Sequence, residues 1–380
     1  MSTPAAAPTQ LEKKTGRAWS SLGFGVLVPS LAVLAALTVG AGLLLVLGVN
    51  PLTAYASLFA GALGNTSGLT QSAVKATPLL LVGLGIVIAF RANVINIGAE
   101  GQLMVGALAA TWFALAFRTW PSVLLIPATL TLSFAAGAAW GFIPGALKAR
   151  LRVNEILSTV MLNAIAQQLM NYLLREVLID PAEVLAGTFI AQSERLPASS
   201  WLARLIPQTQ LHAGAVLAVV LAVAVYVFLW RTTIGYRIRA VGLNPDASRY
   251  AGIPVPRYQA LALTLAGGFA GLAGGVEILG VHHRLLEGIS GGYGFTGIVA
   301  ALFGKLHPLG LVPASFLFGS LLVGADKMQR AVQVPSALID TLLGVVVLFV
   351  VGSDWWVRHR AARARAPEPE PQTGEAAAHG

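Results

Sequence analysis

The chain has no cysteine among its 380 residues, which excludes disulfides and thiolate metal sites. Charge is scarce as well: Asp, Glu, Lys and Arg together make up 11% of the residues, where a soluble domain carries about 25%. Acidic residues are the rarer sign, 16 against 25 Lys and Arg, giving a net charge of +9. That surplus is no nucleic-acid signal, because membrane proteins gather Lys and Arg in their cytoplasmic loops. A phosphate-binding loop is also missing. It needs G-x-x-x-x-G-K-[ST], so that backbone amides cradle phosphate and a hydroxyl holds Mg²⁺. Gly304-Lys305 is the only Gly-Lys pair; Val299 stands in place of the first Gly and Leu306 in place of the Ser or Thr. The chain is therefore not expected to hydrolyse ATP itself, and it is read as a non-enzyme without a cofactor of its own. An intramembrane enzyme would need a nucleophile and a base in one span, and no expected span contains His or Cys.

What is present instead is apolar sequence, 56% of the chain, laid out in long runs with short polar connectors. Runs of about 20 apolar residues fit the hydrocarbon slab as helices, so the fold class is all-α and polytopic. The expected crossings are Phe24–Gly48, an interrupted segment 78–117, Ser122–Leu147, Ile156–Val177, Ala213–Trp230, Ala260–Gly280, an interrupted segment 289–304, Leu311–Ala325 and Ala337–Val351. With segment 78–117 entering and returning, the total is about ten, eight or nine being the alternatives. The 25-residue first run exceeds the core of a signal peptide and is followed by no small-residue cleavage site, so it is expected to be retained. Residues 1–23 form a cytoplasmic tail, 24–351 the transmembrane domain, and 352–380 a Pro- and Glu-rich cytoplasmic tail expected to be disordered. Cationic groups at Lys13, Lys14 and Arg17, at 148–152, at 231–257 and at 358–365 place both termini in the cytoplasm. Lys327 and Arg330 break the pattern, falling on the outer side, with Arg118 and Arg284 as single further exceptions. The connector Leu178–Leu211 is expected at the surface.

Two breaks in the apolar runs resemble each other: "GAEGQLMVGALAA" (98–110) and "GGYGFTGIVAALFG" (291–304) both pair a Gly-rich polar turn with a short small-residue helix. Short Gly-interrupted segments in two halves point to a transport pathway built from repeats. The first break carries Asn93, Asn96, Glu100 and Gln102, and the second Tyr293. Irregular backbone at membrane depth is tolerated only where protein buries it or water reaches it. The 13 apolar residues before the first break and the 15 after it are each short for a span, which favours a re-entrant element over an ordinary hairpin. At the start of and along Ile156–Val177, Glu155, Thr159, Asn163, Gln167 and Asn171 recur every four residues, a single polar stripe. Such a stripe either joins helices by hydrogen bonds or lines a pathway, with Asn163 and Gln167 as the central members. Glycines at 137, 141 and 145, and at 267, 271 and 275, predict close helix packing. His282 and His283 are read as members of a solvated outer loop, and Asp340 as a carboxylate at the start of the last helix.

Segment 231–259 carries Arg231, Arg237 and Arg239 and then "VGLNPDASRYAGI". Asn244 suits an N-cap, Pro245 the first helical position and Asp246 the first turn. The spacing predicts a two-turn helix ending near Gly252, bearing Ala247 and Tyr250, between two spans. A short capped helix with small residues and one aromatic has the look of a docking element, and a plain cationic loop is the alternative.

The stretches "RANVINIGAEGQLMVGALAA", "VNEILSTVMLNAIA", "GYRIRAVGLNPDASRYAGI" and "GYGFTGIVAALFGKLHPLG" together resemble the permease subunits of ABC importers in the branched-chain amino acid/ribose superfamily, nearest the nucleoside and simple-sugar branch. The likeness covers roughly residues 25–350. It implies a cell-membrane subunit that works with a cytoplasmic ATPase, a second permease (homologous or identical) and an extracytoplasmic binding protein, passing a small molecule through the bilayer. On this likeness Arg239, Asn244, Asp246, Ala247, Tyr250 and Gly252 belong to the ATPase-coupling element, and the 93–102 motif belongs to the translocation core. The cargo implied is a nucleoside, with simple sugars as the near alternative. An ion-coupled secondary transporter is the competing class; it would place intramembrane carboxylates as ion sites, for which Glu100, Glu277 and Asp340 are the only candidates.

Overall fold

A computed structural model describes residues 34–333 without interruption, with a few isolated positions on either side. The expected N-terminal tail, the start of the first helix, the last crossing with Asp340 and the arginine-bearing C-terminal tail lie outside the described residues. The chain divides into two units, one containing helix α1 (Leu34–Val46) and the other comprising Leu52–Val334.

The second unit is helical apart from three isolated bridges. Its helices are α2 (Pro51–Leu63), α3 (Thr66–Arg91), α4 (Ala99–Ala116), α5 (Ser122–Leu151), α6 (Glu155–Glu176), the short α7 (Pro181–Ala186), α8 (Gly214–Arg231), α9 (Thr233–Leu243), α10 (Pro245–Tyr250), α11 (Val255–Glu277), α12 (Tyr293–Phe303) and α13 (Pro308–Val332). Six of them, α3, α4, α5, α8, α11 with its continuation, and α13, are long and apolar enough to cross a membrane; counting Leu34–Val46 and Pro51–Leu63 as one interrupted span gives a seventh. The chain is thus a multi-pass α-helical membrane protein.

The centre is made by α3 and α11, which are buried along most of their apolar length, while α5 and α8 lie at the periphery with much of their surface open. α5 and α11 meet backbone to backbone along their glycines, with Phe134 packed on Phe269 beside them. Cβ atoms added at Gly137, Gly141, Gly267 or Gly271 would run into the backbone of the facing helix. Gly106 of α4 meets Gly271 in the same way, and Ser133 Oγ donates to the Gly106 carbonyl at 2.9 Å. The small-residue spacing read from the sequence is therefore a packing seam, as expected for helices joined by contact rather than by a hydrophobic force.

Two expectations are corrected. Segment 78–117 does not consist of two half-length flanks. α3 begins at Thr66, capped by Asn65, whose side chain accepts from Gly68 N at 2.7 Å, and it runs for 26 residues. Its first turns carry Thr70, Gln71, Ser72 and Lys75, which depress the apolar count, yet Thr70 and Ser72 are buried. The helix was hidden because its polar residues face protein interior. Second, Leu178–Leu211 is no simple surface connector. Ser193, Leu196, Ser200 and Leu202 are buried. The segment pairs by backbone with the stretch after α11, through Leu202 N to the Leu279 carbonyl at 3.0 Å, Leu196 N to His283 O at 2.8 Å and Ser193 N to Leu285 O at 3.0 Å. His283 lies inside this layer, 7% exposed and stacked on Trp201 at 4.2 Å, rather than in a solvated loop.

Candidate functional site

The break between α3 and α4 is held by side chains that the sequence singled out. Asn93 takes a left-handed backbone (φ 56°) and is exposed. Asn96 is fully buried. Its amide donates to Gln102 Oε1 at 2.9 Å, and its carbonyl oxygen accepts from Gly98 N at 3.0 Å and from Gln102 Nε2 at 3.3 Å. From α6, Asn163 grips the same turn at both ends, accepting from Gly101 N and donating to the Ile97 carbonyl, each at 2.9 Å. The irregular backbone thereby has protein partners, which a bilayer requires of it.

Glu100, in the first turn of α4 and 7% exposed, reaches across to the second break. Its Oε2 accepts from Gly294 N at 2.7 Å and its Oε1 from Gly292 N at 3.2 Å. Those amides are among the orphan donors at the start of α12, which has no side-chain cap of its own. A carboxylate there is favoured both by the hydrogen bonds and by the helix dipole, which offsets the cost of burying its charge. Gly294 has no side chain because none fits: a Cβ would stand 2.5 Å from Glu100 Oε2 and collide with the Glu100 backbone. The two similar Gly-rich motifs thus meet at one carboxylate. Tyr293, 4% exposed, lies beside this contact, with Lys75 Nζ 5.4 Å from its ring centroid.

The α6 stripe divides. Glu155 pairs with Lys148 at 2.6 Å, Thr159 is buried and donates to the Glu155 carbonyl at 2.6 Å, and Asn163 holds the break. Gln167 instead donates along its own helix to Asn171 Oδ1 at 3.0 Å. Asn96, Gln102 and the half-buried Asn163 therefore hold the first break and Glu100 joins it to the second, with Asn93, Gln167 and the Tyr293 side chain outside these hydrogen bonds.

The two-turn helix after Asn244 forms where its cap signals place it. Asn244 Oδ1 accepts from Asp246 N and Ala247 N, both at 3.0 Å, Pro245 opens α10, and Gly252 leaves it in a left-handed conformation at φ 77°. Ser248 faces inward, while Asp246, Ala247, Arg249 and Tyr250 point outward, Tyr250 being 97% exposed. Arg239 is turned the other way. Its Nε donates to the Leu229 carbonyl at 2.9 Å and its guanidinium lies 5.4 Å from the Trp230 ring centroid. Arg91, at the end of α3, lies 5.3 Å from the same ring and donates twice to the Leu306 carbonyl, at 3.1 and 2.9 Å. The α9 backbone at Gly242 packs against the Arg91 carbonyl. α10 thus follows α9, which packs on the end of α3 just before the first break, and Arg91 there reaches on to the turn after α12.

Sequence reasoning missed the partners of Glu277 and Lys75. Glu277, at the end of α11, is 1% exposed; His282 Nε2 stands 3.4 Å from its Oε1, and Oε2 has no hydrogen-bond partner. The signal that would have found this region is the pair Lys327 and Arg330, the cations that depart from the charge pattern expected from the sequence. His283 is pushed down to about 4 by burial and then by the positive charges of Arg195 and Arg204.

Residues 68–351 match the family model described as the branched-chain amino acid transport system / permease component. The guanosine ABC transporter permease protein NupP of Bacillus subtilis (strain 168) is 37% identical over 329 residues, 86% of this chain and 93% of that protein. The glucose ABC transporter permease protein TsgB13 of Haloferax volcanii is 37% identical over 362 residues, 93% of each chain. The nucleoside ABC transporter permease protein NupB of Lactococcus lactis subsp. cremoris is 32% identical over 331 residues, 86% of this chain and 90% of that protein.

Proposed function

The chain belongs to the branched-chain amino acid transport system permease family, and from that membership we propose that it is the membrane-spanning subunit of an ATP-driven importer of nucleosides. The observation that carries this reading is the junction of the two breaks at Glu100. A buried carboxylate that joins the start of α4 to the start of the short α12 is suited to a pathway whose halves must move together. The names of two relatives, a guanosine and a nucleoside permease, favour nucleosides as cargo. A glucose permease of equal identity keeps simple sugars as the second reading.

In this proposal the exposed face of α10, with Asp246, Ala247 and Tyr250, seats in a cytoplasmic ATPase, and Arg239 and Asn244 hold that helix in place. A second permease completes the pathway and an extracytoplasmic protein delivers the cargo. Both termini lie in the cytoplasm, with 24–351 as the membrane domain, 231–259 as its coupling loop and 1–23 and 352–380 as tails. About ten crossings follow if α6, the segment around α12 and the last apolar run join the helices already described. Asn93, Asn96, Glu100, Gln102, Asn163, Gln167 and Tyr293 belong to the pathway or its immediate support. Energy arrives from the partner, since the only Gly-Lys pair lacks the rest of a P-loop.

Uptake by vesicles carrying the complete transporter tests the reading. Nucleoside accumulation should persist when ion gradients are collapsed and ATP is retained, and stop when ATP is withdrawn. Loss of uptake on collapsing the gradients would instead identify an ion-coupled transporter. Glucose uptake without nucleoside uptake would select the second reading.

A further inference from the structure

A cavity of about 510 Å³ opens among the start of α3 and the ends of α11 and α13, adjoining the Glu100 contact through Lys75, which lies over Tyr293. Its walls carry Lys75, Glu277, His282, Asp326, Lys327 and Arg330, and Val74, Val281 and Val323 are its few apolar residues. Lys327 and Arg330 are the two cations that break the charge pattern of the loops, and both are exposed here. Among the described residues no carboxylate lies within ion-pair distance of Lys75, Lys327 or Arg330. Glu277 is the reverse case, a nearly fully buried carboxylate in the wall whose Oε2 accepts no hydrogen bond. A buried carboxylate oxygen without a partner is costly, and a native structure that keeps one has a use for it.

The charges on the wall set the chemistry of the occupant. An anion would be drawn by Lys75 and Arg330 but repelled by Glu277, and a cation would meet the opposite conflict. A neutral solute that both donates and accepts hydrogen bonds satisfies both kinds of wall group. Two adjacent hydroxyls do this at one point: one O–H donates to the carboxylate while the lone pairs accept from an ammonium group. The volume lies within the range of small-molecule sites, about 300–1,000 Å³. A zwitterion with an aliphatic side chain would use the same charges, but three valines offer it little apolar wall.

We infer that this cavity is a binding site for a neutral solute with a vicinal diol, the diol donating to Glu277 and accepting from Lys75. The inference rests on the nucleoside or sugar reading of the permease and adds the handle by which such a cargo is held. The chain has no cysteine, so Gln71→Cys on the cavity wall supplies a unique reporter in this subunit. Labelling by a methanethiosulfonate reagent is followed by the mass of the subunit in the complete transporter in nanodiscs. Adenosine should slow the labelling and 2′,3′-dideoxyadenosine should not. Glu277→Gln should weaken the protection about tenfold, the value of one charge-assisted hydrogen bond. Lys75→Gln should weaken it too, which covers the case in which Glu277→Gln fails to assemble. Equal protection by the dideoxy compound, protection unchanged by both substitutions, or protection by L-leucine alone would overturn the site. ATP-driven adenosine uptake by the parent preparation separates the two claims. Its absence refutes the nucleoside reading, and glucose then serves as the diol probe. A transporting preparation whose cysteine is unprotected refutes the site itself.

Discussion

Replacing Glu100 by Gln isolates the contact between the two breaks. The side chain keeps its shape, but an NH₂ group takes the place of one carboxylate oxygen. One of the two amides, Gly292 N or Gly294 N, then faces a donor instead of an acceptor. A hydrogen bond to a charged group contributes about 1.5–3 kcal/mol, and the dipole of α12 adds about 0.3–1 kcal/mol for a charge at its N-terminus. The 3.2 Å bond is the weaker of the two, so a loss of about 2–3 kcal/mol is expected. Gly294→Ala attacks the same contact from the other side. Its Cβ would lie 2.5 Å from Glu100 Oε2 and 2.6 Å from Glu100 Cα, and since backbone cannot retreat as a side chain does, about 1–3 kcal/mol is lost. The two substitutions remove one interaction, so the double variant should fall short of the summed losses by about 1 kcal/mol or more. Denaturant titration of the purified protein, monitored by tryptophan fluorescence, yields all four corners of the cycle. Losses that add to within about 0.5 kcal/mol would refute the reasoning, because the carboxylate and the glycine would then act separately.

Three further outcomes are expected. Tyr250→Arg on the exposed face of α10 should leave the unfolding midpoint within about 0.5 kcal/mol of the parent while sharply reducing ATP-driven uptake; normal uptake would remove α10 from the coupling contact. Gly271→Leu places a side chain where the α5 backbone already stands and should prevent assembly or cost more than about 3 kcal/mol, the upper end of ordinary overpacking, read as loss of the monodisperse peak on size exclusion. His283, held near 4 in the folded protein against an ordinary 6.5, binds its proton more readily when unfolded. Its neutral form therefore supports the fold above pH 6.5, and that support is lost progressively as the pH falls toward 4. His283→Gln should flatten the decline in melting temperature across that window, and an unchanged slope would assign the acid lability elsewhere.

Element type and order were legible wherever an apolar run was long or a cap was explicit. Asn244-Pro245-Asp246 announced α10 because N-cap, first-position proline and first-turn acid are local signals, complete within three residues. The glycine spacings at 137–145 and 267–275 likewise predicted a close helix contact, although not that the two series would face each other. The start of α3 escaped hydropathy since Thr70 and Ser72 turn polar groups toward protein, and composition cannot tell an inward polar residue from a solvated one. The layer formed by 193–202 against 279–285 is built from backbone bonds, which leave no side-chain pattern to read. The candidate site was half visible. Asn96, Glu100, Gln102 and Asn163 stood out as polar residues in apolar surroundings, but the partner of Glu100 lies 192 to 194 residues away and consists of amide hydrogens that every residue but proline carries.

The glycine seam between α5 and α11 has a mechanical consequence. Side chains between two helices act as a deformable gasket, since each can change rotamer as the helices slide. Here backbone rests on backbone, with Gly137 and Gly141 against Gly267 and Gly271, and at those positions there is no side chain to rearrange. Translation along the seam would require the helices to separate first and forfeit their close contacts. The pair therefore behaves as a single strut, and α4 is pinned to it at Gly106. Whatever opens and closes during a transport cycle must therefore move around this strut rather than within it.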